Sequence, residues 1–364
     1  MTKVSEAINR RDLLAALAVC GRVVPRRAVH EVMTCVRIGD GLASATDGEM
    51  RVEVPIPAAG EPVLLPFSRL EALTRACTGE QVEIDPEGDS VAIRASRGLW
   101  RLPTRSPDEW PTVPDLKWSP VARLPSDQLA RCLSAVVDAC DRDSNRYALG
   151  GVKIEVIDGV VHLVATDGRR LHATELEIDQ AVDDCELLIT ERAASLLGYL
   201  AAQVDEGEEI QLERAGPELR AVVGSGEPVT LYARQLEGNF PKWQQVIPAA
   251  RRAKPTVVRA DKLHDAIRQA AICTSEASRA ISLTLGEVIV AEATSSEHGH
   301  SRVELEPKEA GHPVTLQVDP RFCCEWLRHV DAVEPVEVEG VDAGSALVFR
   351  SEDSTGVVMP MGEE

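Results

Sequence analysis

The chain has 364 residues, too many for one ordinary core and enough for two or three domains. Hydrophobic residues make up 44% and charged residues 27%, the balance of a folded chain and not a disordered one. Lys plus Arg total 39 against 59 Asp plus Glu, a formal charge of −20, which excludes capture of nucleic acid by an overall basic surface but leaves room for a local basic strip.

Aromatic residues are only 3%, so aliphatic side chains must fill the cores. No run of about 18 apolar residues predicts a membrane helix, and the start, Met1-Thr2-Lys3-Val4-Ser5, lacks the apolar stretch of a signal peptide. The nine cysteines include no Cys-x-x-Cys pair, and Cys20, Cys132, Cys140 and Cys273 sit inside apolar periodic runs. They read as reduced, buried thiols in a reducing cytoplasm. Cys323 and Cys324 are adjacent and point different ways on a helix, so no metal site is expected there.

In chain order, residues 9–24 read as an amphipathic helix with Leu13, Leu14, Leu17 and Cys20 on one face. Alternating sequence follows and ends in Ala45-Thr46-Asp47-Gly48-Glu49-Met50. A second helix spans 68–77, then come two short strands around Ile84 and Ile93 and an aromatic-Pro element, Trp110-Pro111. The same order returns: a helix at 126–140, the element Ala165-Thr166-Asp167-Gly168-Arg169-Arg170, a helix at 191–203, a hairpin around Leu212 and Val222, and Phe240-Pro241. It returns a third time with a helix at 261–274, a degenerate Ala293-Thr294-Ser295-Ser296, a helix at 320–332, and a hairpin around Val338 and Val348. Asn9, Ser126 and Asp261 are the predicted N-caps of the first helix in each copy. Copies about 120 residues apart are repeated domains and not a solenoid. The fold class is α+β, with domains expected at 1–122, 123–250 and 251–364, each holding two helices and antiparallel strands.

Three motifs in this order and spacing resemble one family. They are Val164-Ala165-Thr166-Asp167-Gly168-Arg169-Arg170-Leu171, Glu237-Gly238-Asn239-Phe240-Pro241-Lys242-Trp243 and the terminal Val357-Val358-Met359-Pro360-Met361. With the threefold repeat, the whole chain resembles the bacterial DNA polymerase III β subunit, the sliding clamp. The resemblance implies a head-to-tail homodimeric ring with helices inside and sheets outside, a non-catalytic processivity factor that needs no cofactor or metal. Twelve helices side by side at about 10 Å would enclose a hole of about 28 Å, wide enough for a duplex about 20 Å across to slide without being read.

The resemblance also assigns sites. An apolar groove that takes short partner peptides with Leu or Phe anchors falls on Leu149, Thr166, Gly168, Arg169, Arg170, Leu171, Pro241, Gln245, Val246, Val357, Val358, Met359, Pro360 and Met361. Partners implied are duplex DNA, held by topology and not by sequence, the polymerase catalytic subunit, the clamp loader and other proteins carrying the peptide. Of the helix-borne basic residues (Arg10, Arg11, Arg22, Arg69, Arg75, Arg131, Arg142, Lys262, Arg268, Arg321 and Arg328 among them), Arg26, Arg146 and Arg192 match family positions that face DNA. Trp100 and Leu102 on one side, and Ile272 and Cys273 on the other, match the subunit interface. The family often has His at Arg169 and Arg at Gln245, and here Glu363 and Glu364 extend the tail. These departures leave a specialised second clamp, or a clamp-fold scaffold, as the alternative. An enzyme using Asp47 and Asp167 with His162 or His172 is disfavoured, because the two Asp residues occupy equivalent places in separate repeats and no phosphate loop or nucleophile motif is present.

Overall fold

The structure is a computed structural model describing residues 7–57, 60–112, 116–142, 147–178, 183–248, 250–275 and 279–362. Six α-helices lie among them: α1 Arg10–Cys20, α2 Phe67–Ala76, α3 Ser126–Val137, α4 Glu191–Ala201, α5 Ala260–Ala270 and α6 Pro320–Leu327. None is long and apolar enough to cross a membrane.

The periodicity explains the helices. In α1, Leu13, Ala16, Leu17 and Cys20 are buried, and in α5, Leu263, Ala266, Ile267 and Ala270. Asn9 caps α1 by accepting the Arg11 N–H at 2.8 Å. The other two expected caps differ. In each case the preceding strand runs straight into the helix, so Ser126 and Asp261 lie inside the first turn. The Ser126 N–H donates to the Glu208 carbonyl at 2.9 Å, and Asp261 pairs with Arg259 at 2.7 Å. Several helices also stop short of their apolar pattern. After α3 the Ala139 and Cys140 N–H groups bond three residues back, tightening the last turn. Cys20, Cys132, Cys140 and Cys323 are buried, and burial pushes the Cys20 and Cys140 thiols up to about 12.

The chain divides into two compact units. Unit 1 takes residues 1–127 and 199–235, and unit 2 takes 128–198 and 236–364, so the division runs through α3 and α4. Each unit contains an eight-stranded antiparallel sheet. In unit 1 the strand order is Val63–Pro66, Cys35–Gly39, Leu42–Thr46, Met50–Pro55, Val229–Arg234, Glu218–Val223, Glu209–Ala215 and Ser119–Pro125. In unit 2 it is Cys185–Thr190, Gly151–Ile157, Val160–Thr166, Arg170–Glu177, Ser354–Val358, Leu347–Arg350, Pro335–Glu339 and Thr256–Arg259. The two orders correspond strand for strand. At the centre of each sheet two distant segments meet: Met50 pairs with Ala233 in unit 1, and Arg170 with Val358 in unit 2. We call these central pairings the seams. Each unit adds a four-stranded sheet, with Gly98–Pro103 at one edge in unit 1 and Gly299–Leu305 at one edge in unit 2.

The repeated Thr-Asp-Gly element is one turn built twice. Thr46 Oγ1 donates to the Met50 carbonyl at 2.8 Å, and the Asp47 carboxylate accepts the N–H groups of Glu49 and Met50 at 3.0 and 2.8 Å. In the second copy Thr166 Oγ1 donates to the Arg170 carbonyl at 2.6 Å, and Asp167 accepts from Arg169 and Arg170 at 2.8 and 3.0 Å. Gly48 and Gly168 both take positive φ, 94° and 85°, which an L side chain resists. In the third copy Ser295 replaces the Asp and accepts from Glu297 and His298. The paired Asp residues are therefore turn caps, each serving its own unit.

Replacing Asp47 by Ala leaves two turn N–H groups without their acceptor, and the urea midpoint should fall by an amount worth about 1–2 kcal/mol. Asp47→Asn, which keeps one carbonyl oxygen, should recover most of that.

Candidate functional site

Strand side chains alternate between faces, so each seam has an outer and a helix-facing side. On the outer side of the unit 2 seam, Leu171 pairs with Val357, and Val357 with Val348. Together with Val164, Ala173 and Trp243 these residues form a buried apolar cluster, onto which Phe240 and Ile247 pack. The Trp243 ring is fixed by its Nε1–H, which donates to Glu155 at 2.9 Å. Val358 points the other way, into the core with Trp326 and Phe349.

The structure brings most of the expected groove residues onto neighbouring segments. The Thr166–Leu171 turn is tied to the terminal strand by the Met359 N–H, which donates to the Arg169 carbonyl at 2.8 Å. Leu149, Thr166, Arg170, Leu171, Val357 and Val358 are buried, and Pro360 is half-buried. Gly168, Arg169, Pro241 and Gln245 are exposed, as are three apolar side chains, Val246 at 43%, Met359 at 44% and Met361 at 38%. Exposed Val and Met beside a buried apolar cluster make a surface that gains by being covered. A Cβ added at Gly168 meets nothing within 4 Å, so its backbone angle, and not crowding within the chain, requires glycine.

Arg170 is only 9% exposed. Its guanidinium lies 4.3 Å from the Phe322 ring centroid, 3.2 Å from Asp167 and in contact with Glu325, and it donates to the Asp138 carbonyl. It ties the groove turn to α6 and to the end of α3. Sequence reasoning expected this group to serve a partner peptide and missed its internal bonds. It also leaves out Trp243, Ala173 and Val348, which pack in the apolar cluster beside the expected groove residues. Trp243 lay inside a quoted motif, and the alternation of Leu171 with Ala173 was the available signal for the second.

The unit 1 seam has the opposite polarity. At the positions of Leu171, Val357 and Val348 it carries Arg51, Tyr232 and Arg220. Arg51 pairs with Glu53 at 2.5 Å, the Tyr232 hydroxyl donates to Glu53 at 3.3 Å, and Arg220 bonds Glu213 while lying 4.6 Å from the Trp118 ring. Its helix-facing side is apolar, with Met50, Val52 and Val54 buried. In unit 2 the corresponding residues are Arg170, His172 and Thr174. Two seams of one topology thus bury opposite chemistries, and the unit 2 seam is the one with an apolar outer side.

The other expected sites are placed as follows. Arg26 is exposed just beyond α1, and Arg192 is exposed in the first turn of α4. Arg146, Glu363 and Glu364 lie outside the described residues. Arg22 stacks 3.5 Å from the Tyr199 centroid, Arg142 pairs with Glu191, and Arg328 pairs with Asp138. The six helices carry nine Lys and Arg against seven Asp and Glu, while the whole chain carries 39 against 59, so the acidic excess lies outside the helices. Trp100 is 36% exposed and Leu99 48% on the edge strand Gly98–Pro103, with Leu102 half-buried. A Cβ at Gly98 would sit 2.0 Å from the Trp100 ring, so glycine there lets the indole lie flat across the strand. Ile272 is 74% exposed on the turn Ala271–Cys273, beside half-buried Cys273.

Comparisons with known proteins bear on the sequence and the fold. Residues 123–242 match the model of the DNA polymerase III beta subunit, central domain. The beta sliding clamps of Pseudomonas aeruginosa and Chlamydia muridarum are each 25% identical to this chain, covering 97% of it and 98% of their own length. A sliding clamp from Pseudomonas aeruginosa bound to griselimycin has the same fold, with a TM-score of 0.90 at 23% identity over 99% of this chain and 100% of its own. A sliding clamp from Bacillus subtilis matches at 0.89 and 18% identity, covering 99% of each chain. By these matches the chain is similar over its whole length to the sliding clamps, the DNA polymerase III β subunits.

Burial holds His172 neutral, its pKa down to about 3, and its Nδ1 lies 2.9 Å from the Ala135 carbonyl. The unfolded chain therefore takes the proton first. Stability is complete above the ordinary His value near 6.5 and falls as the pH drops toward 3. Asp138, held well below the usual carboxylate range by His329 and Arg328, adds its loss only below about pH 4. Between pH 6.5 and 5.0 the native chain should lose about 2 kcal/mol more than His172→Asn, which keeps a donor toward Ala135; urea melts at the two pH values measure the difference.

Proposed function

We propose that the chain is a DNA sliding clamp, two copies of which close head to tail around duplex DNA and tether replication proteins. The observation that carries this reading is the match over 97% of the chain to proteins named beta sliding clamp. That full-length match does not favour a clamp-fold scaffold.

Three features of the chain support the parts of the mechanism. Three repeated domains, at 1–122, 123–250 and 251–364, fit the threefold order of helix, turn, helix and hairpin, and the matched central domain at 123–242 falls inside the second. The helices, with Arg26 beside α1 and Arg192 in α4, would face the duplex, and Arg146 joins them by its match to the family. Their slight basic excess gives weak, sequence-blind attraction that lets DNA slide, while the acidic remainder discourages sticking elsewhere. The edge strand Gly98–Pro103 offers unpaired backbone groups beside exposed Leu99 and Trp100, and exposed Ile272 with half-buried Cys273 would supply an apolar counterpart on a second copy.

The groove on the outer side of the unit 2 seam would receive the short anchored peptides of the polymerase catalytic subunit, the clamp loader and other partners. Leu or Phe anchors would cover Val246, Met359 and Met361, while Arg170 holds the turn that shapes the groove. Arg169 and Gln245 would set which peptides are preferred. The role is that of a non-catalytic accessory subunit in the cytoplasm, and it calls for no cofactor.

The test is retention on nicked circular DNA after loading. The ring should stay bound through a wash in high salt and be released when the circle is linearised; equal retention on linear DNA would overturn the reading. Ile272→Asp places a charge in the apolar contact between copies and should give folded monomers by sedimentation. A dimer of native stability in that variant would remove Ile272 from the interface.

A further inference from the structure

Glu155 stands on the strand Gly151–Ile157, on the outer side of the unit 2 sheet, and is bonded to the segment that carries three of the expected groove residues. That segment, residues 236–255, holds Pro241, Gln245 and Val246. Among its described residues there is no strand or α-helix, only the short turn Trp243–Gln245. A loop without ladder hydrogen bonds is held in place by what its side chains bond to. One Glu155 oxygen, Oε2, accepts both the Trp243 indole N–H and the Gln244 side-chain amide, each at 2.9 Å. The other, Oε1, pairs with the Lys153 ammonium at 2.7 Å, and Lys153 also reaches Glu186 at 2.9 Å. The Glu155 side chain is 14% exposed and that of Lys153 12%. Burial opposes the charge on Glu155, but Lys153 and Trp243 outweigh it and hold its carboxyl below the usual range. Glu155 is therefore an ionised acceptor at neutral pH, and its bonds are charge-assisted.

The first repeat lacks this arrangement. Counting back from the shared Thr-Asp-Gly turn, Val164 corresponds to Ser44 and His162 to Leu42. Glu155 pairs with His162 and Gly39 with Leu42, so Gly39 is the counterpart of Glu155. A Cβ at Gly39 would lie 2.4 Å from the Pro62 Cα, which leaves no room for a side chain there. His162, whose ring centroid lies 5.4 Å from that of Trp243, stands where unit 1 has leucine. The buried carboxylate and the apolar outer side thus occur in the same copy of the fold.

We propose that Glu155 is a positioning residue for partner binding: it sets the Trp243–Gln245 turn so that Pro241, Gln245 and Val246 form a ready-made wall of the groove. The inference rests on the groove reading above and names what holds that wall. Apolar packing of Trp243 is non-directional, whereas two consecutive side chains bonded to one oxygen fix the turn in both height and rotation. A wall already in place does not have to be ordered when a peptide arrives, which favours binding.

The test measures binding of fluorescein-labelled Gly-Leu-Ser-Leu-Phe amide to the full chain by anisotropy, beside the Trp243 indole N–H signal in proton–nitrogen NMR, assigned with Trp243→Phe. Glu155→Ala should move the indole signal and weaken the peptide at least about tenfold, the effect of losing charge-assisted hydrogen bonds. Glu155→Gln, with its amide oxygen in the place of Oε2, keeps the bonds to Trp243 and Gln244. It should bind within about threefold of the native chain and restore the indole signal, although the charge is gone. Gln244→Ala removes one of the two bonds from an exposed side chain, leaves the core intact and should weaken the peptide about threefold. The inference is overturned if Glu155→Ala moves the indole signal yet binds like the native chain, if Glu155→Gln weakens binding as much as Glu155→Ala, or if the indole signal does not move. A native chain that binds no such peptide overturns the groove reading as well, which tells the two failures apart.

Discussion

The rest of the structure depends on two strand pairings between segments far apart in the chain. Met50–Pro55 pairs with Val229–Arg234, and Arg170–Glu177 pairs with Ser354–Val358. Each pairing joins two smaller sheets into one of eight strands, and each fixes by register which side chains face the helices. A slip of one residue would exchange the two faces. In unit 2 that would put Arg170, His172 and Thr174 outside and Leu171 and Ala173 among the helices, destroying both the groove and the core beneath it. The Thr-Asp-Gly turn at the start of the inner strand guards against the slip, since its hydrogen bonds fix where the strand begins.

The opposed polarity of the two seams explains how a repeated fold comes to have an apolar outer side in one unit and a polar one in the other. The unit 1 seam spends its outer side on the Arg51, Glu53 and Tyr232 network and is an ordinary hydrophobic joint within. The unit 2 seam frees its outer side for apolar contact and buries polar groups within, leaving His172 and Thr174 with unmet hydrogen bonds. Stability lost inside is accompanied by an apolar surface outside.

The helices were legible because their apolar residues recur at 3.6-residue spacing, and Leu263, Ala266, Ile267 and Ala270 are as buried as that pattern requires. The turn was legible because its sequence is repeated. The N-caps at Ser126 and Asp261 were not, because α3 begins at Ser126 itself and α5 at Ala260, which places both side chains inside the first turn. The seams were not legible either: strand periodicity shows which residues share a face, but not which distant strand lies alongside. For the same reason Val348 could not be assigned to the groove. Arg170 was found as a groove residue through the resemblance, yet its bonds to Phe322 and Glu325 depend on helix packing that no motif encodes.

These constraints meet in one mechanical idea, that of the proposed function: two copies of the chain would close around a duplex, with the apolar outer side of the unit 2 seam left for tethered partners. The most direct measurement is a cryo-electron map of the free protein at micromolar concentration. The account predicts a closed two-subunit ring with a central hole of about 28 Å, lined by helices. An open crescent, or a single subunit with no hole, would contradict it.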